Sequence, residues 1–530
     1  MKMKQTKRRV TAETSPGFTA VVTLAVALLI AALVIGCSAS QDLFQDVEHD
    51  VEGADQDTGQ AGSGDNSQDG SYGPAPAAPS DFSVRAVSST EIELTWIDNS
   101  DDEEYFEIER TETSDYESYD PVATVDADVT TYLDTGLTAE TEYDYRIRAV
   151  NSGGVSDWLG AAIATTLPPP LENVVAVAAG ISHSLALRDD GSVYAWGDNG
   201  YRQLGNDSDV FSATPVLVEA LSGIVDIASG ENHCLAVDGG GNIWTWGDNT
   251  SGQLGTGDTG GAALPERIAP LADVVDVAAG PRHSVAVDTN GNVWAWGAGS
   301  IGQLGNGAFE SSPIPVKIPS GAGAGVEDAT KVAAGRSHSL ALRSSAVGSD
   351  LRAWGGNFYG QLGDGSTEDA GSPVEVMGLS GVETLAAGHD HSLALRSDGT
   401  VWAWGDNSVG QLGTGSLVDS HVPTQVSSLS GIVSVAAGGG GSYAVDSSGA
   451  LWAWGIVYGL TETHEKTLPV EIVALSNVLS VAQSDAHGLA LLEDGTVWAW
   501  GSNNSAGQLG DGSMSHLDTS EPVRVVAPVE

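Results

Sequence analysis

A thirteen-residue stretch, Val401-Trp402-Ala403-Trp404-Gly405-Asp406-Asn407-Ser408-Val409-Gly410-Gln411-Leu412-Gly413, returns in recognisable form seven times along this chain. Its Trp-Gly pair falls at Trp196, Trp246, Trp296, Trp354, Trp404, Trp454 and Trp500, in steps of 50, 50, 58, 50, 50 and 46 residues. Self-similarity at such a period means a stack of supersecondary units that bury their apolar faces against one another. One full copy reads 374–376, then 382–388, then 391–395, and then 401–405 after an Asp398-Gly399 turn. That is four short strands, apolar on both faces, with small Ala and Gly where sheets must pack closely. Asp-Gly and Asn-Gly pairs at 190–191, 290–291, 398–399 and 494–495 suit tight hairpins. Seven four-stranded units imply an all-β, seven-bladed β-propeller over residues 171–530. A Pro-x-x-Val/Ile strand begins at Pro215, Pro265, Pro315, Pro373, Pro423, Pro469 and Pro522, and none precedes the first Val177-Ala178-Ala179-Gly180 copy. The C-terminal strand, 522–526, is therefore expected to close the first blade and hide both sheet edges.

Charge narrows the partners. The net charge is −50, and removal of the first 36 residues would leave 16 bases against 70 acids. Such a surface repels phosphate, which disfavours nucleic acid and anionic membranes as ligands of the folded part. With only two cysteines, Cys37 and Cys234, there is no disulfide framework.

Residues 1–36 pair a basic start (Lys2, Lys4, Lys7, Arg8, Arg9) with an uncharged run over 18–36, the pattern of a secretory signal. Leu33-Val34-Ile35-Gly36-Cys37 resembles the lipobox of bacterial lipoproteins, which implies lipidation of Cys37. Ser38 after the cysteine favours, by the same resemblance, the outer membrane and cell surface. The membrane would then be touched only through this lipid; the alternative is that the nineteen-residue run over 18–36 stays uncleaved and spans the bilayer as an anchor. Residues 37–77 are rich in Asp, Gly, Ser and Pro and are expected to form a disordered acidic linker.

Over 78–167 the pattern changes to short alternating strands, such as Ile92-Glu93-Leu94-Thr95-Trp96 and Phe106-Glu107-Ile108-Glu109-Arg110. Trp96 in the second strand, and Tyr143 at a tyrosine-corner position near the Leu137 turn, resemble a fibronectin type III β-sandwich. The resemblance implies a spacer module. Trp158 is expected to pack at its end.

The propeller motifs resemble the regulator of chromosome condensation repeat family. The residues that carry it are Ala-Ala-Gly-x-x-His-Ser-Leu-Ala-Leu, Asp-Gly-x-Val-Trp-Ala-Trp-Gly and Gly-Gln-Leu-Gly. The eukaryotic member promotes guanine-nucleotide exchange on a small nuclear GTPase, and secreted bacterial propellers of this kind include β-lactamase inhibitors. The resemblance implies one of these activities or a related binding role.

Chemistry is hard to find. His183, His233, His283, His338, His391 and His487 occupy one slot of six copies, but symmetry sets equivalent positions a blade apart, too far to share a metal. They read as structural, bonding backbone between blades, and the seven Trp-Gly tryptophans read as core. Cys234 takes the serine slot of one copy and reads as an inert buried thiol. Asp198, Asp248 and Asp406 are expected to bond turn backbone. No nucleophile elbow, phosphate loop or zinc motif occurs; no cofactor, metal or catalytic residue is expected. A glycan-cleaving role would need a carboxylate pair that the sequence does not locate. Repetition fails in the sixth copy (Gly441 for His, 456–460 for the Gln-Leu-Gly loop) and in the longer fourth copy (321–325 and 344–349). Aromatics at loop positions, Tyr201, Phe211, Phe309, Phe358, Tyr359 and Tyr458, are candidate binding residues. The chain is expected to be monomeric and to bind a protein or glycan without catalysis.

Overall fold

A computed structural model describes residues 73–528, apart from 115–117, 270, 320–324, 346–347, 461–464, 502–503 and 515–520. The expected signal segment, Cys37, nearly all of the linker and most of the glycine run at 321–325 lie outside the described residues. Every regular element among those described is a strand.

The first eight strands form the sandwich. Ser80–Ala86, Glu91–Ile97 and Thr131–Thr135 make one sheet, and Asp120–Asp126, Tyr105–Glu112, Glu142–Asn151, Gly154–Val155 and Leu159–Thr165 make the other. Ile92, Leu94 and Trp96 alternate inward as the period-two pattern requires. Trp96 meets Phe106 edge to face at 5.5 Å. The Tyr143 hydroxyl accepts from the N–H of Thr138 at 3.0 Å, one residue beyond Leu137. Trp158 lies under two guanidinium groups, those of Arg146 at 4.4 Å and Arg148 at 4.3 Å.

Residues 174–524 form seven four-stranded antiparallel sheets, each continuous in sequence. The first is Val174–Ala179, His183–Arg188, Val193–Gly197 and Ser212–Leu217; the seventh is Val478–Gln483, His487–Leu492, Val497–Gly501 and Val523–Arg524. This corrects the expected strand exchange. The C-terminal strand joins the seventh sheet, with Ala499 opposite Val523 and Trp498 opposite Arg524, and leaves the first sheet to its own four strands. The unit was also read one strand out of phase. Each Pro-x-x-Val strand pairs with the Trp-Gly strand before it, as Ala353 pairs with Val374. The physical reason is that the Gly-Gln-Leu-Gly loop turns the chain straight back onto its own third strand. The Asp-Gly turns therefore join second and third strands. The C-terminus still meets the start of the ring, because the N–H of Leu171 donates to the carbonyl of Val525 at 3.0 Å.

Two side-chain bonds repeat between neighbouring sheets. The indole N–H of Trp246 donates to the Gln203 carbonyl at 2.8 Å, that of Trp296 to Gln253 at 2.8 Å, and that of Trp354 to Gln303 at 2.9 Å. Trp404 and Trp454 do the same to Gln361 and Gln411. The same bond joins the seventh sheet to the first, from Trp196 to the carbonyl of Gln508 at 2.9 Å.

Beside it runs the histidine bond. The Ser284 hydroxyl donates to the Gln253 carbonyl, so its oxygen accepts the Nε2–H of His233 at 2.9 Å. His283, His338 and His391 meet Ser339, Ser392 and Ser442 in the same way. His487 meets Ser184 across the seam at 2.7 Å. The imidazoles thus bond side-chain hydroxyls, not backbone as expected; the hydroxyl passes the bond on to a carbonyl. His183 meets Ser229 at 2.8 Å and the Cys234 sulfur at 3.2 Å. Burial pushes the Cys234 thiol's pKa up, in keeping with an inert role. The glycine three residues before five of the six histidines is required by close approach; Ser484 stands in that place before His487. A Cβ on Gly280 would sit 2.4 Å from His283 Cε1 and 2.5 Å from the Gly335 carbonyl oxygen.

The sixth and seventh sheets break the pattern at three coupled places. Gly441 replaces the histidine, Gly488 replaces the serine that would receive it, and the Gln-Leu-Gly loop gives way to 456–460. Tyr443 fills the space, its ring 6.0 Å from that of Trp500. A Cβ on Gly441 would lie 3.1 Å from Tyr443 Cε2, and one on Gly488 would lie 2.5 Å from the Trp500 ring. The cost is visible, since Trp500 Nε1 and the Tyr443 hydroxyl are buried with no hydrogen-bond partner among the described residues.

Desolvation holds the six imidazoles neutral, with pKa values lowered to about 3 for His183, His283 and His338 and about 4 for His233, His391 and His487. An unfolded histidine titrates near 6.5, so the unfolded chain takes up protons first and stability falls as pH drops from about 6.5 to 4. Urea midpoints measured across that range should fall steeply. Ser339→Ala, which orphans His283 Nε2–H and leaves the Gln303 carbonyl with the Trp354 indole as its remaining side-chain donor, should cost about 1–3 kcal/mol at pH 7.5.

Candidate functional site

In the first five sheets the inner strand turns into the second through Gly-x-x-His, and the third turns into the outer through the Trp-Gly to Gln-Leu-Gly loop; the sixth and seventh make the same connections with Gly438 to Gly441 and Ser484 to His487. Antiparallel pairing puts both connections at one end of the sheets. There the inner strands surround a cavity of about 1150 Å³, lined by residues of all seven sheets.

Its mouth is formed by the two residues between the glycine and the histidine slot. Around the ring these are Ile181-Ser182, Glu231-Asn232, Pro281-Arg282, Arg336-Ser337, His389-Asp390, Gly439-Gly440 and Asp485-Ala486. Their backbones are tied sheet to sheet: Arg336 N–H donates to the His389 carbonyl at 3.0 Å, and His389 N–H to the Gly439 carbonyl at 3.1 Å. The side chains pair round the rim. Arg282 lies 3.5 Å from Glu231, and Arg336 lies 3.8 Å from Asp390, with both guanidinium groups well exposed. His389 Nε2 reaches Asp485 at 2.7 Å, from the fifth sheet to the seventh. Gly439 makes that span possible. A Cβ there would stand 3.0 Å from Asp485 Oδ1, and its φ of 51° already favours glycine. Burial raises the Asp390 pKa, while Arg336 and His389 pull it back down.

Of the six loop aromatics, the structure brings Phe358 and Tyr359 to the cavity, where they meet edge to face at 4.8 Å beside Ile301. Phe358 is 77% exposed. Arg282 and Arg336 line the same cavity, so the third and fourth sheets give the mouth both these aromatics and its arginines. Phe309 turns outward, since a Cβ on Gly371 of the fourth sheet's outer strand would touch its ring at 2.9 Å. Tyr201 and Phe211 are exposed away from the cavity lining, and Tyr458 is half-buried. Asp198, Asp248 and Asp406 accept from turn N–H groups at 3.0–3.2 Å and also from the side chains of Gln203, Gln253 and Gln411. The His and Trp rows are buried beneath the mouth.

Sequence reasoning missed the dipeptides that form the mouth. It also missed two carboxylates deeper on the inner strands, Asp226 and Asp276. The inner strand is an edge whose N–H groups need partners. Asp276 accepts from the N–H of Val332 in the next sheet at 2.7 Å, and Asp226 from Ile227 at 2.9 Å. Burial raises their pKa values to about 7 and about 6. Backbone N–H groups oppose both shifts, and the Asp226 charge adds to that of Asp276.

The fold and its mouth define a class: a repeat-built β-propeller that presents a ring of variable turns, a non-enzymatic binding fold. The chain belongs to the RCC1-like domain family, which matches residues 159–439; an RCC1 repeat matches residues 478–508, and a fibronectin type III domain matches 77–164. The human protein WBSCR16 has a similar fold, with a TM-score of 0.57 at 24% identity over 64% of this chain and 94% of that one. Prp20p from Saccharomyces cerevisiae gives 0.55 at 24% identity, over 67% and 90%; its structure is described together with binding to Gsp1p and histones. The human E3 ubiquitin-protein ligase HERC2 is 46% identical over 50 residues, which are 9% of this chain and 1% of that ligase. The match thus spans one hundredth of that relative's length. Together the two domain types make this a binding or scaffold protein.

A carboxyl whose pKa is raised by folding stabilises the fold when protonated. That stability is fully present below about pH 4 and is lost as pH rises through about 6 and 7. Asn keeps the acceptor oxygen and removes the charge. Asp226→Asn and Asp276→Asn should therefore each raise stability at pH 8 by on the order of 1–2 kcal/mol and leave it unchanged at pH 4, read from urea melts.

Proposed function

We propose that this chain is an exported, lipid-anchored, non-enzymatic receptor that captures a protein partner at the cell surface through the mouth of its propeller. The observation that carries this reading is the mouth itself: seven variable turns on one rigid ring, lined by exposed Phe358, half-buried Tyr359, Arg282 and Arg336. Exposed aromatics flanked by arginine are the side chains that dominate protein–protein binding energy. Each arginine is matched by a rim acid, Arg282 by Glu231 and Arg336 by Asp390, so in a chain of net charge −50 this sector offers exposed guanidinium groups that a partner's carboxylate can engage. Protein binding by Prp20p, a structural relative, supports the same choice over a glycan. Export and the anchor rest on residues 1–37, with the lipid on Cys37 and the acidic linker giving reach. No catalysis is required of the mouth.

A photo-crosslinker at Phe358 in intact cells should capture one protein species. Arg336→Glu should cut that yield at least about tenfold, as loss of a central contact of 1.4 kcal/mol or more does. Val225→Asp, on an exposed residue at the other end of the inner strand, should not change it. Equal labelling in all three would overturn the reading. Accumulation of unprocessed precursor under globomycin should follow from the anchor. Nucleotide-release and β-lactamase inhibition assays on the same variants would separate the narrower activities that the family resemblance implies.

A further inference from the structure

The sandwich carries a cluster that neither its packing nor the proposed binding role explains. Asp98 and Glu103 lie in the connection between Glu91–Ile97 and Tyr105–Glu112, and Asp128 lies in that between Asp120–Asp126 and Thr131–Thr135. One carboxylate oxygen from each falls within 4.8 Å of the other two. The backbone is shaped to hold them together. Asp98 Oδ1 accepts from Ser100 N–H at 3.0 Å, which folds the connection over. Glu103 Oε1 accepts from Asp128 N–H at 3.3 Å, tying one connection to the other. Asp128 itself adopts a left-handed φ of 63°.

The second oxygen of Glu103 is the independent observation. Glu103 is 8% exposed, and its Oε2 is sealed from solvent with no hydrogen-bond partner among the described residues. No Lys, Arg or His forms an ion pair with any of the three among the described residues. A buried, unpartnered carboxylate oxygen beside two further carboxylates is costly unless a cation completes the set. We propose that Asp98, Glu103 and Asp128 form a binding site for a hard divalent cation, calcium in the first instance, that pins the two connections of the sandwich together. Three oxygen ligands suit calcium, whose bonds of about 2.4 Å let opposed ligands stand about 4.8 Å apart, and exposed Asp128 leaves room for waters to complete the shell. Magnesium demands shorter bonds and a stricter octahedron.

The test uses the full chain and amide hydrogen exchange, so that weak calcium binding by the many other carboxylates does not enter. Millimolar calcium at pH 7.5 should slow exchange at Ser100 and Asp128 by at least about tenfold. Glu103→Gln, which is isosteric, should abolish that response while leaving the sandwich folded, and Asp128→Asn should weaken it. Asp101→Asn, on an exposed neighbour outside the trio, should keep it. The proposal is overturned if calcium changes nothing at these amides, or if Glu103→Gln responds as the parent does. It is equally overturned if protection appears on acidification alone, since a shared proton would then satisfy the cluster.

Discussion

The bond from six of the seven Trp-Gly indoles to the glutamine carbonyl of the neighbouring sheet is what the rest of the propeller depends on. A four-stranded sheet with two apolar faces cannot stand alone in water, and the tryptophan supplies much of the area that makes adjacent sheets adhere. Burial of a tryptophan contributes about 3–5 kcal/mol at the usual cost per area, but area has no direction. The indole N–H gives it one, because it must find an acceptor once buried. The Gln-Leu-Gly loop presents that acceptor at a fixed place, and the serine hydroxyl donates to the same carbonyl. One backbone oxygen thereby organises three side chains from two sheets.

That arrangement frees the end of the ring for binding. Glycine and histidine are fixed on either side of the first five turns, the first by close approach and the second by its hydroxyl partner in the next sheet. The two residues between them carry no structural duty beyond their backbone bonds. They can therefore differ in all seven copies, and they do, from Ile181 through Arg336 to Gly439. The site is a by-product of the scaffold's strictness elsewhere. The sixth copy shows how strictness can be relaxed: histidine, serine and glutamine loop are lost together, and Tyr443 replaces their volume while leaving the Trp500 N–H without an acceptor.

Much of the fold was legible because repetition is written into the chain at every level. The Trp-Gly spacing gives the strands and the number of copies, and the buried rows of His and Trp follow from it. The phase of the unit was not legible. A repeat of four strands can be cut at any of four places, and only the pairing of Val374 with Ala353 decides which. The bond from histidine to serine was hidden because Ser284 follows His283 in sequence yet serves His233 in space. Asp226 and Asp276 were passed over because a carboxylate on a short apolar strand looks like an exposed face, whereas it caps the free edge of the next sheet. The mouth left a signal that could have been used: the seven copies align with one another, and the column between glycine and histidine is the one that varies most. Loop aromatics were chosen by residue type, so Phe358 and Tyr359 fell at the cavity while Phe309 turned onto a neighbouring strand.

Exchange of the seven indole N–H protons, followed by NMR after transfer to heavy water, tests this account most directly. Trp196, Trp246, Trp296, Trp354, Trp404 and Trp454 should exchange together and slowly, because each donates to a carbonyl in another sheet, and Trp500 should exchange faster. Trp196 is the decisive signal, since its acceptor is Gln508 at the opposite end of the repeats. Fast exchange at Trp196 with the others protected would mean an open ring, and equal protection at Trp500 would mean that the glutamine carbonyl is not what holds these sheets in place.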